Sequence, residues 1–174
     1  MKTNIILAGV GGQGILTIAA VLDTAALDCN LNIKQSEVHG MSQRGGAVQS
    51  HVRISDKEIF SDLIPQGKAD IIISVEPMEL LRYLPFLKEG GHLVTDSNPF
   101  VNTMNYPEMD ALYAEIKSQP NSILIDAKKI AKDLGNARAT NIVLLGAAAS
   151  LLPLSDESLK KAIKTLFERK GERI

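Results

Sequence analysis

The sequence predicts an α/β fold, a three-layer α/β/α sandwich with a Rossmann-like, mostly parallel sheet. Short β-branched segments alternate with helical patterns along most of the 174 residues. This order is typical of a parallel sheet that helices cover on both faces. A glycine cluster directly follows the first β-branched segment. One later segment alternates apolar and polar residues, which predicts an antiparallel strand within the sheet.

Composition indicates one globular domain that spans residues 1–174. Hydrophobic residues make up 45% of the chain, and neither a tandem repeat nor a linker divides it. The 19 basic and 20 acidic residues nearly cancel, so the chain lacks the overall field that attracts nucleic acid or anionic lipid. The single cysteine, Cys29, cannot close a disulfide within the chain. One thiolate is also fewer than an iron–sulfur cluster or a structural zinc site demands.

No membrane span or signal peptide is predicted, and we therefore expect a cytoplasmic protein. Met1 and Lys2 lead directly into a strand-like segment without the apolar core of a signal peptide. The longest apolar stretch, Ile142 to Leu154, contains Gly146 and Pro153, and it is shorter than the roughly 20 residues that cross a bilayer. It is predicted to be a buried helix.

The first half of the chain predicts strands at Asn4 to Ala8, near Leu31 to Ser36 and at Ala47 to Ser55. A helix from about Gly14 to Leu27 is apolar around most of its circumference, so it should be largely buried. A polar segment with glycines, Glu37 to Gly46, precedes the third strand.

The third strand, Ala47 to Ser55, carries the alternating pattern. Its period of two predicts a half-exposed strand, antiparallel and near an edge of the sheet. His51 and Arg53 fall on its more polar face, and His51 is expected to be exposed there.

The second half continues the strand and helix order. Asp70 to Val75 predicts a buried strand, and Pro77 suits the first turn of the helix that follows. Pro85 should bend or shorten this helix, and Gly90 and Gly91 should end it.

Two further strands and two helices complete the prediction. The strands are His92 to Asp96 and Ser122 to Asp126, and a helix between them begins near Pro107. Ser155 is a suitable N-cap for the closing helix, whose first turn carries Asp156 and Glu157.

The glycine cluster matches the spacing G-x-G-x-x-G and predicts a binding turn. Its residues are Gly9, Gly11, Gly12, Gln13 and Gly14, and a helix N-terminus behind them presents free N–H groups. They could contact a phosphate, a CoA or the backbone of a partner chain, or they could merely allow the first strand and helix to pack closely. An NAD site also needs an acidic residue about 20 positions further on, and Glu37 is the candidate.

The segment from Ser36 to Gly46 is the densest group of polar and glycine residues in the chain. Arg44 offers a fork of donors for a carboxylate or phosphate. A solvent-exposed spacer is the plain alternative, and His39 suits a structural hydrogen bond as well as proton transfer. The residues that we predict to contact a partner or control substrate access are His39, Ser42, Gln43, Arg44, Gly45 and Gly46.

Together, the segments Ile6 to Gly14 and Ser36 to Gly46, with Val52 and Arg53 downstream, resemble a known family. They are similar to the gamma subunit or domain of pyruvate and ketoisovalerate ferredoxin oxidoreductases, and most closely to indolepyruvate oxidoreductase beta subunits. Further similarity runs to about Asp96.

The resemblance implies one subunit of an enzyme that oxidatively decarboxylates a 2-oxoacid, forms an acyl-CoA and reduces ferredoxin. It implies thiamine diphosphate, Mg and 4Fe–4S clusters on a larger partner subunit, with CoA as a co-substrate of the complex and no cofactor or metal in this chain. No catalytic residue can be assigned. Two alternatives remain open, a stand-alone NAD- or FAD-binding oxidoreductase and a module that binds a nucleotide or acyl-CoA.

Overall fold

A computed structural model describes residues 1–40 and 45–169, apart from the side chains of His39 and Arg169. Six strands form one sheet: β1 Lys2–Val10, β2 Asn32–His39, β3 Ala47–Ser55, β4 Ala69–Ser74, β5 Leu87–Asp96 and β6 Ser122–Ile125. The helices are α1 Ile15–Asp28, α2 Pro77–Arg82, α3 Met109–Ser118, α4 Ala127–Asp133, α5 Thr140–Ala148 and α6 Asp156–Arg169. Short 3-10 segments lie at Leu84–Phe86, Ala137–Ala139 and Ala149–Leu151.

The sheet has the strand order β2-β3-β1-β4-β5-β6. β1, β4, β5 and β6 pair in parallel, whereas β3 is antiparallel to both β1 and β2. The predicted α/β fold is therefore confirmed, as is the antiparallel direction of β3.

Helices cover both faces of the sheet, which makes three layers. On one face, α1, α5 and α6 pack against the sheet around residues such as Leu7, Val52 and Ile73. On the other face, α2 and α3 enclose a second core with Ile6, Ile72 and Leu93. Alternate residues of β1 supply both cores, because successive side chains of a strand point to opposite faces.

The predicted exposure of β3 is wrong, although the strand does lie near an edge of the sheet as expected. β2 pairs along its outer side and is itself the edge strand. Residues 50–55 of β3 are all buried. The alternation of polar residues misled the prediction because polar side chains on one face are buried beneath the β3–β4 connection, as described below.

The predicted end of the α2 helix is also wrong. α2 ends at Arg82 and a 3-10 turn containing Pro85 follows, so the proline shortens the helix as expected. Gly90 and Gly91 instead lie within β5, where the pairing with β4 shifts register between Ala69 and Ile71. Gly90 has a φ of 70°. Glycine adopts such a positive φ in a β-bulge more readily than other residues do.

The apolar segment near the C-terminus forms α5 and a short 3-10 turn. Leu144, Leu145 and Ala148 are buried, while Gly146 faces solvent. α4 was not predicted; it is short, and its N-cap Asp126 accepts a hydrogen bond from the Lys129 N–H at 2.9 Å. Among the described helices, none is both long and apolar enough to traverse a bilayer.

Candidate functional site

The glycine turn connects β1 to α1 and is closed by Gln13. Its side-chain oxygen accepts a hydrogen bond from the N–H of Val10 at 2.7 Å. The backbone N–H of Gln13 in turn donates to the carbonyl oxygen of Val10 at 3.1 Å. Gln13 thus has a structural role in holding the turn, in addition to any contact with a ligand.

Two of the glycines are required by close packing. Gly9 is buried, and a Cβ added there would lie 2.6 Å from Cδ1 of Ile15. Gly14 has a φ of 79°, and an added Cβ would lie 2.5 Å from the side-chain nitrogen of Asn141. For these two positions the structure supports the interpretation that the glycines let strand and helix pack.

Gly11 and Gly12 differ from Gly9 because solvent reaches them. Gly12 is exposed, and an added Cβ would meet no atom within 4 Å. The N–H of Gly11 donates to the carbonyl oxygen of Gly46 at 2.9 Å. This bond joins the glycine turn to the segment that leads into β3, so the two sequence motifs lie side by side.

The structure describes only part of the second motif, the segment from Ser36 to Gly46. Glu37 and Val38 lie in β2, as does the backbone of His39. Gly45 and Gly46 precede β3 and are partly exposed. Ser42, Gln43 and Arg44 lie outside the described residues, as does the His39 side chain.

A third segment joins the two motifs, and the sequence did not predict it as part of a site. The β5–α3 loop, residues 97–108, reaches over to Gly45. The side-chain nitrogen of Asn102 donates to the carbonyl oxygen of Gly45 at 2.6 Å. The Phe100 ring lies 4.0 Å from the position that a Cβ of Gly45 would take.

The same loop exposes large apolar side chains. The exposed fractions are 44% for Phe100, 65% for Val101 and 102% for Met104. Clustered exposed apolar side chains are typical of surfaces that bind another protein. We call the set formed by Gly11, Gly12, Gly45, Gly46 and the β5–α3 loop the carboxyl-edge surface, because it lies where the parallel strands end. In the sequence, this surface was indicated by apolar residues, Phe100, Val101 and Met104, within an Asn- and Pro-rich loop.

The carboxyl-edge surface lies where α/β sheets commonly bind ligands. α1 follows β1 on one face of the sheet and α2 follows β4 on the other. Neighbouring parallel strands whose helices leave to opposite faces open a crevice beyond their carboxyl ends. β1 and β4 are such neighbours.

The geometry of an NAD site is not reproduced by Glu37. In that arrangement the acidic residue stands on the strand beside β1. Here β3 separates β1 from β2, and Glu37 pairs opposite Ser50 of β3. Two strand spacings, on the order of 10 Å, therefore lie between β1 and Glu37. The Gln35 side chain also donates a hydrogen bond to Glu37.

His51 is buried, so the expectation that it is exposed is wrong. It is 4% exposed, and its Nδ1 accepts a hydrogen bond from the N–H of Ile64 at 3.0 Å. Its ring meets Phe86 edge to face at a centroid distance of 5.5 Å. Burial, followed by the positive charge of Arg53, lowers the pKa of His51. A neutral, structural histidine results.

Arg53 is also buried, and it binds the β3–β4 connection. Its Nη1 donates to the carbonyl oxygens of Ser61 at 2.6 Å and Leu63 at 3.0 Å. Its Nε donates to the side-chain oxygen of Asn4 at 3.1 Å. This connection covers the polar face of β3, which explains why an alternating strand is buried.

Within the described part of the chain, no group of three or more His, Cys, Asp and Glu residues is arranged to hold a metal ion.

Residues 4–174 match the pyruvate ferredoxin/flavodoxin oxidoreductase family. The chain belongs to this family. A curated relative is the indolepyruvate oxidoreductase subunit IorB of Pyrococcus horikoshii, which is 40% identical over 171 residues. That alignment covers 92% of this chain and 84% of the relative.

Two solved structures share the fold of this oxidoreductase family member. The gamma subunit of a keto/oxoacid ferredoxin oxidoreductase from Geobacter sulfurreducens superposes with a TM-score of 0.69 at 29% identity, covering 94% of this chain and 85% of that one. The 2-oxoglutarate:ferredoxin oxidoreductase of Magnetococcus marinus, with 2-oxoglutarate, coenzyme A and succinyl-CoA bound, gives 0.74 at 21% identity. The superposition covers 98% of this chain but only 28% of that one. At 21% identity, this second likeness shows the fold alone.

Proposed function

We propose that this chain is the cofactor-free subunit of a 2-oxoacid:ferredoxin oxidoreductase that acts on indolepyruvate or a related aryl pyruvate. The observation that carries the proposal is its likeness, over most of both lengths, to the indolepyruvate oxidoreductase subunit of Pyrococcus horikoshii. The reaction converts the 2-oxoacid anion and CoA to an acyl-CoA, CO₂ and a proton, and two electrons pass to ferredoxin.

The chemistry divides between this chain and a larger cytoplasmic partner subunit. A 4Fe–4S cluster commonly takes four cysteine ligands, whereas this chain has one cysteine. The partner would hold the clusters, together with thiamine diphosphate and Mg. When bound there, thiamine diphosphate supplies the carbanion stabilisation that decarboxylation requires.

The carboxyl-edge surface is the proposed contribution of this chain. Glycines 11, 12, 45 and 46 carry no side chains, so another backbone or a phosphate can approach the main chain at these positions closely. The N-terminus of α1 lies behind the turn, and its partial positive charge favours an anion such as a CoA phosphate. His39, Ser42, Gln43 and Arg44 precede Gly45 in the chain and are proposed to take part in the same contact. The 2-oxoacid itself would bind on the partner.

Reconstitution tests the proposal. The purified chain should oxidise no 2-oxoacid alone, and ferredoxin-linked oxidation of indolepyruvate should appear when the cluster-bearing subunit is added. Turnover by this chain alone, or full activity of the larger subunit without it, would contradict the proposal. Gly12→Asp places a negative charge on the exposed turn and should raise the KM for CoA if the phosphates bind there. Glu157→Gln, on the exposed start of α6, serves as a charge-change control.

A dinucleotide titration addresses the alternative of a stand-alone NAD- or FAD-binding oxidoreductase. The purified chain is mixed with NAD or FAD, and binding is followed by calorimetry. We expect no saturable binding in the micromolar range, because β3 keeps Glu37 away from the ribose position beside β1. Tight binding that Glu37→Gln weakens would favour a stand-alone oxidoreductase instead.

A further inference from the structure

A buried carboxyl group lies immediately beside the carboxyl-edge surface. Glu76 follows β4, and its exposed fraction is 0%. Burying a carboxyl group costs free energy unless hydrogen-bond donors replace its water. Ser74 holds the Glu76 backbone, because its hydroxyl donates to the Glu76 carbonyl oxygen at 2.6 Å.

The two carboxyl oxygens of Glu76 bind different parts of the fold. Oε2 accepts a hydrogen bond from the N–H of Glu79 at 2.8 Å and thereby caps α2. Oε1 accepts from the N–H of Phe100 at 3.3 Å and from the hydroxyl of Tyr106. The second oxygen therefore links α2 to the β5–α3 loop, at two points on either side of the exposed Val101 and Met104.

A glutamate at position 76 suits the link to the β5–α3 loop better than it suits the capping of α2. Ser, Thr, Asp and Asn are the usual N-cap residues, because their short side chains reach the helix N–H groups directly. A longer side chain adds nothing to the cap itself, but it lets Oε1 reach the neighbouring loop. Burial, followed by the hydrogen bond to Glu76, raises the pKa of Tyr106, so the phenol keeps its proton and remains a donor.

The β5–α3 loop is hydrogen-bonded in turn to the glycine motifs. Asn102 lies between Phe100 and Tyr106 and donates to the Gly45 carbonyl oxygen. Gly46, the next residue, accepts from the N–H of Gly11 in the glycine turn. A continuous series of hydrogen bonds and short chain segments thus runs from Glu76 to the turn.

We propose that Glu76 is a positioning residue that, through the Phe100 N–H and the Tyr106 hydroxyl, holds the β5–α3 loop and the adjoining Gly45 and Gly46 in the conformation that docks on the larger subunit. This inference rests on the proposed function. Its physical basis is preorganisation: a loop already held in its bound conformation loses less entropy on association, so affinity increases without a new contact.

The test uses two variants and two matched controls. Tyr106→Phe removes one donor to Glu76, and Glu76→Gln keeps the size but alters the acceptor. Glu79→Gln changes a buried glutamate, 2% exposed, of the same helix, whose side chain pairs with Arg82. Tyr83→Phe changes a buried tyrosine that packs beside Phe86. Neither control side chain is bonded to the loop.

Hydrogen exchange on the isolated chain provides the first measurement. In Tyr106→Phe, amides of residues 97–106, 45–47 and Gly11 should exchange about tenfold faster, since loss of a hydrogen bond to a charged or partly charged group is worth about that factor. Exchange in β1 and α6 should not change, and neither control should affect the loop. Unchanged exchange in the loop would overturn the inference without bearing on the proposed function.

Titration of the larger subunit provides the second measurement. Tyr106→Phe and Glu76→Gln should raise the apparent Kd for that subunit about five- to tenfold, whereas Glu79→Gln and Tyr83→Phe should leave it within about twofold. A looser loop with wild-type affinity would overturn the positioning role while the proposed function stands. If all four variants lost affinity in proportion to the fall in their melting temperatures, Glu76 would only stabilise the fold, and the positioning role would be overturned. If the wild-type chain binds no such subunit, the proposed function fails and the docking role of Glu76 fails with it, whatever the exchange data show.

Discussion

The side-chain amide of Asn141 donates a hydrogen bond of 2.9 Å to the carbonyl oxygen of Gly14, although the two residues lie 127 positions apart. Asn141 is in the first turn of α5, and Gly14 is the N-cap of α1. The bond joins two helices on the same face of the sheet, and it places the start of α1 directly against α5. The glycine turn therefore depends on a residue from the far end of the chain.

Gly14→Ala should destabilise the protein by about 2–3 kcal/mol. The new Cβ would lie 2.5 Å from the Asn141 nitrogen, and the φ of 79° is strained for alanine. Gly12→Ala should cost less, about 1 kcal/mol, because its φ of 100° is unfavourable but no atom lies within 4 Å. Urea unfolding of the three proteins measures both differences.

Gly146→Ala is the control for those substitutions. Gly146 lies in α5 with ordinary helical φ, is exposed, and has no atom within 4 Å of an added Cβ. Alanine should stabilise the helix by about 0.5–1 kcal/mol. If Gly14→Ala were as harmless as Gly146→Ala, the close approach of Asn141 would be contradicted.

His51→Leu should destabilise the protein by about 1–3 kcal/mol at pH 8. It removes the acceptor for the buried N–H of Ile64 and leaves that donor unsatisfied. Stability is measured by chemical unfolding, and Phe86→Leu, which keeps the His51 acceptor, separates the hydrogen bond from the ring contact.

The same histidine should make wild-type stability depend on pH. Burial lowers its pKa in the folded state, so below pH 6.5 the unfolded chain takes up the proton first. The contribution to stability is present above pH 6.5 and is lost as the pH falls through the lowered folded value. His51→Leu should remove this part of the pH dependence, and an unchanged slope between pH 5 and 7 would speak against a buried neutral His51.

Asp23→Asn should stabilise the protein at neutral pH. Burial, followed by the negative charge of Glu37, raises the pKa of Asp23 from 3.8 to about 6. The contribution of Asp23 to the free energy of unfolding is thus present below pH 3.8, and it is lost as the pH rises through about 6. Because solvent reaches part of the side chain, we expect a gain of only about 1 kcal/mol at pH 7.

Thermal unfolding between pH 4 and pH 8 checks this gain. The advantage of Asp23→Asn over the wild type should grow with pH and level off above pH 7. The exposed Glu115→Gln in α3 should change stability by no more than about 0.5 kcal/mol at any of these pH values. A gain that is already complete at pH 4 would show that charge is not the cause.

Arg53→Lys should loosen the β3–β4 connection and cost about 1–3 kcal/mol. One ammonium group cannot reproduce the bonds that the guanidinium makes to Ser61, Leu63 and Asn4. Amides near Leu63 and Ile64 should exchange faster with solvent. Lys34→Ala removes only a surface ion pair to Asp62 of the same connection, 3.8 Å long, and should cost less than about 0.5 kcal/mol.

Local patterns in the sequence were sufficient for the fold class and for most elements. Ile5 to Ala8 and Ile71 to Ile73 are continuous apolar runs, and such runs predict strands buried on both faces. Ala47 and Ser55 bound β3 as predicted. Pro77 lies in the first turn of α2 as expected, because its fixed φ suits that position. The two glycine motifs could likewise be found from spacing alone.

Contacts between distant residues decided the rest. Whether β3 lay at an edge depended on where β2 paired, and whether His51 was exposed depended on the connection that Arg53 binds. The β5–α3 loop joined the site only because Asn102 meets Gly45, which is 57 positions away. The sequence by itself determined which segments become strands and helices, since those patterns arise from neighbouring residues. The tertiary structure alone decided which polar side chains are buried and which loops meet, because these depend on residues that only folding brings together.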